Sequence, residues 1–331
     1  MCLLNEKIIK RLIIKFIIIM LLIFGSNSAC SLFNERFPPS EYEIGHIDLG
    51  SAYVCKIERH YAYIGTNDGV SIINFEDPHN PFVSNSIQSN EAVFGIYVAE
   101  NKLFFGDAGQ HSLEIYNISE PENPVRIASL PIPGVIEGIS KCDKNFGEIL
   151  YVATYENGLI ILNIADLQNI NILSTMDCEG HGFDLICHKN FVYYANGDKG
   201  IQVINVMDPS LPVIINTLAY GVRDVSIKDN LLAAGHGGMG FSLIDISTPD
   251  NPIVLSSRRT GGDVWGICLN DNYLFTGDLE LGVEIWDISD LENPNRIKTI
   301  SEYSVHDIEF NEGYIFLADQ DRHFVILDNW N

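Results

Sequence analysis

One short stretch of sequence recurs seven times along this chain, and that repetition restricts the fold more than any other feature. Each copy runs through alternating apolar residues to an Asn or Asp, and most copies begin with glycine. The seven copies are Gly69–Phe75, Ser112–Ile118, Gly158–Ile164, Gly200–Val206, Gly240–Ile246, Gly282–Ile288 and His323–Asp328. Because one such unit is too small to bury its own apolar face, units of this kind pack against further copies of themselves.

A turn motif follows most copies and sets the period. It spans Asp77–Pro81, Glu120–Pro124, Asp208–Pro212, Thr248–Pro252 and Asp290–Pro294, and Asp166–Ile170 is a version without proline. Successive turns end 43, 46, 42, 40 and 42 residues apart, and extra residues around Asn145–Glu148 coincide with the longest interval. A period of about 40–45 residues with four strands in each unit is typical of propeller blades.

Each unit can be divided into four strands, as the second unit shows. Apolar or β-branched runs occupy Phe94–Val98, Leu103–Gly106, Leu113–Ile118 and Val125–Leu130, with turn residues between them. The proline turn precedes the fourth run, where the missing backbone N–H of proline suits an outer sheet edge. Helical periodicity is not found beyond the first thirty residues. The sequence therefore predicts an all-β, seven-bladed β-propeller of four-stranded antiparallel blades.

The two ends of the repeat region complement each other. The last copy stops just after a third strand, so the final blade lacks its fourth strand. The region begins with Tyr42–Leu49, which resembles the fourth strand Pro212–Leu218 and has no blade of its own. Pairing this N-terminal strand with the C-terminal blade closes the ring and removes two exposed sheet edges. We therefore expect one closed domain over residues 41–331.

The recurring pattern, apolar-x-Ile-x-[Asn/Asp]-Ile followed by Asp-Pro-x-Asn-Pro, resembles the LVIVD repeat of bacterial and archaeal secreted β-propellers. The resemblance covers residues 42–331. It implies a location at the cell surface and carries no established activity. Ile285-Trp286-Asp287 also resembles the WD dipeptide of WD40 repeats. Because the other copies have no Trp at that position, we interpret it as a variant of the same strand.

The first thirty residues have the features of an export signal. Basic residues precede the apolar run Phe16–Phe24, and small residues follow it up to Cys30. The run is shorter than the ~20 residues that a membrane span needs. Ser28-Ala29-Cys30 is similar to the lipobox of bacterial lipoproteins, which implies lipidation of Cys30. We expect a lipoprotein-like signal over 1–30 and a tether over 31–40; an ordinary secretory signal followed by a cysteine is the alternative.

The charge balance limits the possible partners. The chain has 20 Lys and Arg residues against 44 Asp and Glu, which gives a formal net charge of −24. Nucleic acid and anionic membrane surfaces repel such a chain, so membrane contact is expected through the lipid anchor only. We expect a monomer that meets a protein or glycan partner at the cell envelope, on the periplasmic side or at the cell surface.

The cysteines of the repeat region are predicted to be structural. Cys55, Cys142, Cys187 and Cys268 fall in or at the end of first strands, and Cys178 precedes one. Their spacing matches no zinc site. We expect buried thiols, because free cysteine behaves as a small apolar residue. The alternative is a disulfide framework, in which Cys178 and Cys187 lie close together.

Three short patterns resemble ligand motifs without the context that those motifs require. Gly235–Gly240 fits G-x-G-x-x-G, but a strand follows it rather than the helix that a dinucleotide site needs. We expect Gly238 and Gly240 to supply positive φ in a hairpin turn. Asn196–Asp198 and Asp319–Asp321 are too short for a calcium loop. No metal and no cofactor are predicted.

Equivalent positions in the seven units mark one mouth of the central channel. The first strands begin with Tyr53, Phe94, Glu137, Phe183, Arg223, Trp265 and His306, a set that we call the mouth ring. The next position holds Asp184, Asp224 and Asp307 in three of the units, and we call these the inner carboxylates. The loops between second and third strands are expected to add Asp107, Glu156, Asp198, His236, Asp278 and Asp319.

Propellers often bind ligands at such a mouth, because many rigidly held loops converge there. Glu137 and His306 are candidate acid–base groups, and Arg223 is a candidate ligand for an anion. The alternative is structural: the inner carboxylates accept hydrogen bonds from neighbouring first strands, and the aromatic rings fill gaps between blades.

The sequence carries no recognisable catalytic set. Neither a nucleophile with its base nor a group of metal ligands is visible, so no catalytic residue is predicted. We expect a non-enzymatic, envelope-anchored propeller that acts as an interaction or binding platform. The alternative is a small-ligand binder, or a hydrolase- or lyase-type enzyme, that uses the mouth of the central channel.

Overall fold

Seven four-stranded antiparallel sheets make up the described part of the chain. A computed structural model describes residues 40–142, 148–218, 221–328 and 330. The expected signal, Cys30, tether residues 31–39 and the centre of the turn insertion lie outside the described residues. Within the described ranges there are 28 strands and no helix. No helix that could span a membrane is therefore found there. The predicted all-β, seven-bladed propeller is confirmed.

Strand β1 (Glu43–Ile47) precedes the first blade, and three complete blades follow it. Blade 1 contains β2 (Ala52–Glu58), β3 (Tyr61–Thr66), β4 (Gly69–Asn74) and β5 (Phe82–Gln88). Blade 2 contains β6 (Ile96–Ala99), β7 (Lys102–Asp107), β8 (Ser112–Asn117) and β9 (Val125–Pro131). Blade 3 contains β10 (Ile136–Lys141), β11 (Ile149–Thr154), β12 (Gly158–Asn163) and β13 (Asn171–Met176).

The remaining strands form blades 4 to 7. Blade 4 contains β14 (Asp184–His188), β15 (Phe191–Ala195), β16 (Ile201–Asn205) and β17 (Val213–Leu218). Blade 5 contains β18 (Asp224–Lys228), β19 (Leu231–Gly235), β20 (Phe241–Asp245) and β21 (Ile253–Arg258). Blade 6 contains β22 (Val264–Asn270), β23 (Tyr273–Asp278), β24 (Gly282–Asp287) and β25 (Asn295–Ile300). Blade 7 contains β26 (Val305–Asn311), β27 (Tyr314–Asp319) and β28 (His323–Leu327).

Strand β1 supplies the fourth strand of blade 7. It pairs antiparallel with β28, with Glu43 opposite Leu327 and Ile47 opposite Phe324. Glu43 also accepts hydrogen bonds on Oε2 from the Arg322 guanidinium at 2.7 Å and from the Tyr303 hydroxyl at 2.9 Å. The predicted closure of the ring by the N-terminal strand is confirmed.

Local hydrogen bonds explain the residues that recur in each unit. The Asn or Asp at the end of a third strand accepts a bond on Oδ1 from the amide two residues later, as Asn74 does from Glu76 at 2.8 Å. Glycine begins the same strand because the backbone there is left-handed. In Gly240 φ is 89°, and a Cβ would collide with the Arg258 carbonyl oxygen.

The turn within Gly235–Gly240 differs in one position from the prediction. It connects β19 to β20, so no helix follows, as expected. Positive φ occurs at Gly237, 53°, and at Gly240, whereas Gly238 does not have it. The prediction for Gly238 was wrong because the tight turn starts at His236, whose carbonyl accepts the Met239 amide at 3.1 Å. The left-handed position therefore falls on Gly237.

Adjacent blades bury their apolar faces against each other. Tyr63 and Ile72 of blade 1, for example, pack in one cluster with Ile96 and Phe105 of blade 2. Removing this apolar surface from water stabilises each contact between blades. The first strands of neighbouring blades also touch one another around the channel. Each blade thus holds the first strand of the next in place, and all seven first strands begin at the same mouth.

A disulfide joins two of these first strands. Cys142 directly follows β10 and is bonded to Cys187 of β14, with the two Cα atoms 4.8 Å apart. The expectation of buried thiols was therefore wrong for this pair. Cys178 lies in the same apolar cluster as Cys187 but is not bonded to it. Cys55, Cys178 and Cys268 are buried free thiols. The separation of 45 residues is close to one repeat, which puts both cysteines at the same level of neighbouring blades.

Candidate functional site

The mouth ring surrounds one cavity. All seven of its residues line a space of about 1050 Å³ at the mouth of the central channel. Each side chain is half-buried, so none is packed away between the blades. The expectation that these seven equivalent positions converge is met by the geometry, whereas their role as a binding site stays a prediction.

Most of the mouth ring is a continuous arc of aromatic contacts. The Tyr53 ring lies 4.9 Å from Phe94 and 5.3 Å from His306, measured between ring centroids. The His306 ring in turn lies 5.0 Å from Trp265. Phe183 meets Trp265 edge to face at 6.5 Å. The first three of these contacts join neighbouring blades, as the structural interpretation expects, and the rings also line the cavity, where they present an apolar wall.

Arg223 is held within this aromatic wall. Its guanidinium carbon lies 4.1 Å from the centroid of Trp265 and 5.1 Å from that of Phe183. Its Nε also lies 3.9 Å from Asp263 Oδ1. The two ring faces and the nearby carboxylate stabilise the guanidinium in this position. The role of Arg223 as a ligand for an anion stays a prediction.

Glu137 is the mouth-ring residue of blade 3, and it is the single carboxylic acid among the seven mouth-ring residues. Among the described residues, no hydrogen bond or ion pair to its carboxyl group is found. Burial, and then the negative charge of Glu156, raise the pKa of Glu137 to about 8. At neutral pH this group is therefore mostly a neutral carboxylic acid that faces the cavity.

The surroundings of His306 also shift its pKa. Burial, together with the positive charge of Arg223, lowers the pKa of His306, and the opposing effect of Asp307 is smaller than that of burial. The imidazole is thus neutral near pH 7. Among the described residues there is no group of three His, Cys, Asp or Glu side chains arranged to hold a metal ion.

The inner carboxylates lie deeper in the channel and bridge neighbouring blades. Each accepts a hydrogen bond from a backbone amide in the next first strand. The pairs are Asp307 with Cys55 at 2.9 Å, Asp224 with Ile267 at 2.6 Å and Asp184 with Val225 at 3.4 Å. These are the bonds that the structural interpretation anticipated, so the inner carboxylates have a structural role whatever the channel binds.

Sequence reasoning missed a lysine in the same part of the channel. Lys56 Nζ lies 2.5 Å from Glu309 Oε1 and 3.5 Å from Asp307 Oδ2. Although burial opposes it, the charges of these two carboxylates raise the pKa of Lys56 well above its usual value. Burial raises the pKa of Asp184 to about 6. Burial, followed by the negative charges of Asp184 and Asp307, raises the pKa of Asp224 well above its usual value. The alternation of β2 and β26 is the signal that would have placed Lys56 and Glu309 on the channel face.

The loop residues behave differently from the mouth ring. Asp198 and His236 line the cavity, whereas Asp107, Glu156, Asp278 and Asp319 do not. The buried Asp278 shows the reason, since its Oδ1 accepts bonds from the amides of Glu280 and Leu281 at 2.7 and 2.8 Å. Asp319 likewise accepts the amide of Asp321 at 2.9 Å, which leaves it in a turn rather than in a calcium site. These carboxylates order their own loops.

The chain carries LVIVD repeats. Four segments match the family model of the LVIVD repeat, over residues 146–177, 179–219, 261–300 and 304–329. They coincide with blades 3, 4, 6 and 7. No curated protein matches the sequence.

Several solved propellers share the fold. The crystal structure of the computationally designed Ika8 protein superposes with a TM-score of 0.62 at 12% identity, covering 84% of this chain and 83% of that one. The structure of U3-55K gives a TM-score of 0.70 at 11% identity, covering 85% of this chain and 96% of that one. The RRP9 WD40 repeats give 0.69 at 12% identity, covering 85% and 95%. At such identities the likeness is one of fold alone.

Proposed function

Because this chain is a seven-bladed β-propeller that carries LVIVD repeats, we propose that it is a non-enzymatic binding protein of the cell envelope whose ligand occupies the mouth of the central channel. The observation that carries this proposal is the convergence of all seven mouth-ring side chains, one from each blade, on one cavity of about 1050 Å³. A concave, largely aromatic site with a few polar groups is the usual form of a small-molecule site.

The partners of the candidate acid–base groups favour binding over catalysis. A general acid or base is normally oriented by a second group and lies within reach of a nucleophile or a substrate atom. Glu137 has no such orienting partner among the described residues, and His306 contacts rings on both sides. We therefore assign the mouth ring to recognition.

Export is supported by the chemistry of the cysteines as well as by the leader-like N-terminus. The disulfide between Cys142 and Cys187 is of the kind that persists in oxidising compartments outside the cytosol. Together with the basic and apolar start of the chain, it favours a protein that works beyond the inner membrane.

Ligand retention tests the proposed site. The protein is incubated with the low-molecular-mass fraction of an envelope extract and examined by native mass spectrometry. We expect Phe94→Ala to lower the retained ligand by about tenfold or more, because a central aromatic contact is lost. Phe82→Ala is the matched control, since Phe82 is 54% exposed on the outer strand β5 and is expected to have no effect. Equal retention by both variants would contradict a site at the mouth.

Membrane attachment is tested separately. We expect Cys30→Ala to move the full chain from the membrane fraction to the soluble fraction while its thermal unfolding stays unchanged, because Cys30 precedes the propeller. Fractionation followed by mass spectrometry of the N-terminus makes the measurement. A wild-type protein that is already soluble and cleaved at another residue would show that it has no lipid anchor.

A further inference from the structure

The cavity at the channel mouth has a composition that selects for one class of ligand. This inference rests on the proposed binding function and names the chemistry of the ligand. We propose that the cavity binds an organic ammonium ion, which pairs with the carboxylate of Glu137 and lies against the aromatic faces of the mouth ring.

The first observation is the balance of charge. Seven acidic side chains line the cavity: Glu137, Asp184, Asp198, Asp224, Asp263, Asp307 and Glu309. The basic side chains among its described lining residues are Lys56 and Arg223. A cleft lined mainly by one sign of charge, with walls of low polarity, concentrates ions of the opposite sign. At alkaline pH, where Glu137 is ionised, the cavity therefore carries an excess of negative charge and attracts cations.

The second observation is that both basic groups are already engaged. Lys56 lies 2.5 Å from Glu309 and 3.5 Å from Asp307. The Arg223 guanidinium lies against two ring faces and 3.9 Å from Asp263. Lys56 is paired with two carboxylates and Arg223 has Asp263 nearby, so an incoming anion would meet negative charge beside both groups. A carboxylate or phosphate ligand would have to displace these contacts.

The third observation concerns Glu137 itself. No hydrogen bond or ion pair to its carboxyl group is found among the described residues, and the group faces the cavity. Ionising this half-buried group without a donor is costly, and a ligand that supplies positive charge offsets that cost. Tyr53 and Phe94 line the same cavity, and their ring faces attract cations through their π electrons. A neutral sugar would stack on these rings but would not neutralise the excess negative charge of the cavity.

The proposal has a consequence for the pH dependence of binding. Glu156, in the loop after β11, is the charged group that acts on Glu137, and Glu137 in turn acts on Tyr194 of β15. Asp184 lines the same cavity from β14. Burial and Glu156 raise the pKa of Glu137 to about 8, so below that pH a cation must displace a proton. Affinity for the cation then rises by about tenfold per pH unit up to about pH 8 and levels off above it, because only protein with an ionised Glu137 binds the cation.

Calorimetric titration of the full-length protein tests this. The probes are choline, its uncharged isostere 3,3-dimethyl-1-butanol and the anion butyrate, each measured from about pH 6 to about pH 9. We expect choline to bind with the stated pH dependence and the alcohol to bind at least about tenfold more weakly at the alkaline end. Titrations in two buffers of different ionisation enthalpy are expected to show release of one proton per choline at the acidic end.

Two matched variants separate pairing at Glu137 from a general effect of charge. We expect Glu137→Gln to weaken choline binding at alkaline pH by about tenfold or more and to abolish the pH dependence. Folding is not at risk, because the substitution removes an unpartnered group, and a thermal melt checks this. Glu76→Gln, in the exposed turn after β4, removes the same charge far from the cavity and is expected to leave binding unchanged.

The outcomes distinguish this inference from the proposed function. Equal binding of the alcohol and choline, tighter binding of butyrate than of choline, or an unchanged pH dependence in Glu137→Gln would each overturn the choice of a cation. Failure of choline to bind at alkaline pH would also overturn it. In all four cases the binding function of the mouth is decided independently by ligand retention in Phe94→Ala and Phe82→Ala.

Discussion

Deletion of residues 41–49 is expected to open the ring and to destabilise the whole domain. The deletion removes β1, so β28 loses its outer neighbour, keeps only β27 as a partner and becomes an exposed sheet edge. Ile44 and Ile47 also leave the cluster that joins blade 7 to blade 1. We expect the free energy of unfolding to fall by at least about 4 kcal/mol and Tm by about 10 °C or more. Thermal denaturation followed by circular dichroism and calorimetry measures both.

A point substitution in the same strand provides the control for chain length. Glu43→Ala keeps the backbone of β1 but removes the bonds to Arg322 and Tyr303. We expect a smaller loss of about 2 kcal/mol, because hydrogen bonds to a charged group are lost while the sheet stays closed. A deletion variant that unfolds at the wild-type temperature would show that β1 does not close the ring.

Removal of the disulfide between Cys142 and Cys187 is expected to have the next largest effect. The bond closes a loop between residues that are 45 positions apart and ties blade 3 to blade 4. Its loss frees the unfolded chain, so the double variant Cys142→Ala/Cys187→Ala is expected to lose about 2–4 kcal/mol of stability. Urea denaturation with and without a thiol reductant measures the change.

Reductant and a second cysteine supply the controls for this prediction. Reductant is expected to destabilise the wild type and to leave the double variant unchanged. Cys268→Ala removes a buried free thiol and keeps the disulfide. Its loss of stability relative to the wild type under the same conditions is therefore expected to be similar with and without reductant. Titration of the denatured, unreduced protein that finds both Cys142 and Cys187 as free thiols would contradict the disulfide.

The sequence predicted the blades because the information that specifies them is local. Bonds such as that from the Glu76 amide to Asn74, and glycines such as Gly240 with φ of 89°, act within a few residues and recur in each unit. The mouth ring could be placed for a related reason. In a closed ring of repeats, equivalent positions lie at equivalent distances from the axis, so one alignment of the units locates all seven residues.

Contacts between blades could not be predicted in the same way. The disulfide, the ion pairs of Lys56 and the lack of a partner for Glu137 all depend on which residues of neighbouring first strands lie at the same height. A β-bulge shifts that height by one residue, and bulges occur near the start of several first strands, as between Ala52 and Val54. The loop carboxylates such as Asp278 were misplaced because their own turn amides compete for them.

A crystal structure of the protein grown with choline at alkaline pH tests the central claim most directly. We expect an open mouth in which the trimethylammonium group contacts the ring faces of the mouth ring and the Glu137 carboxylate. A mouth closed by packed side chains, or choline bound elsewhere with the mouth empty, would contradict a cation site built by seven converging blades.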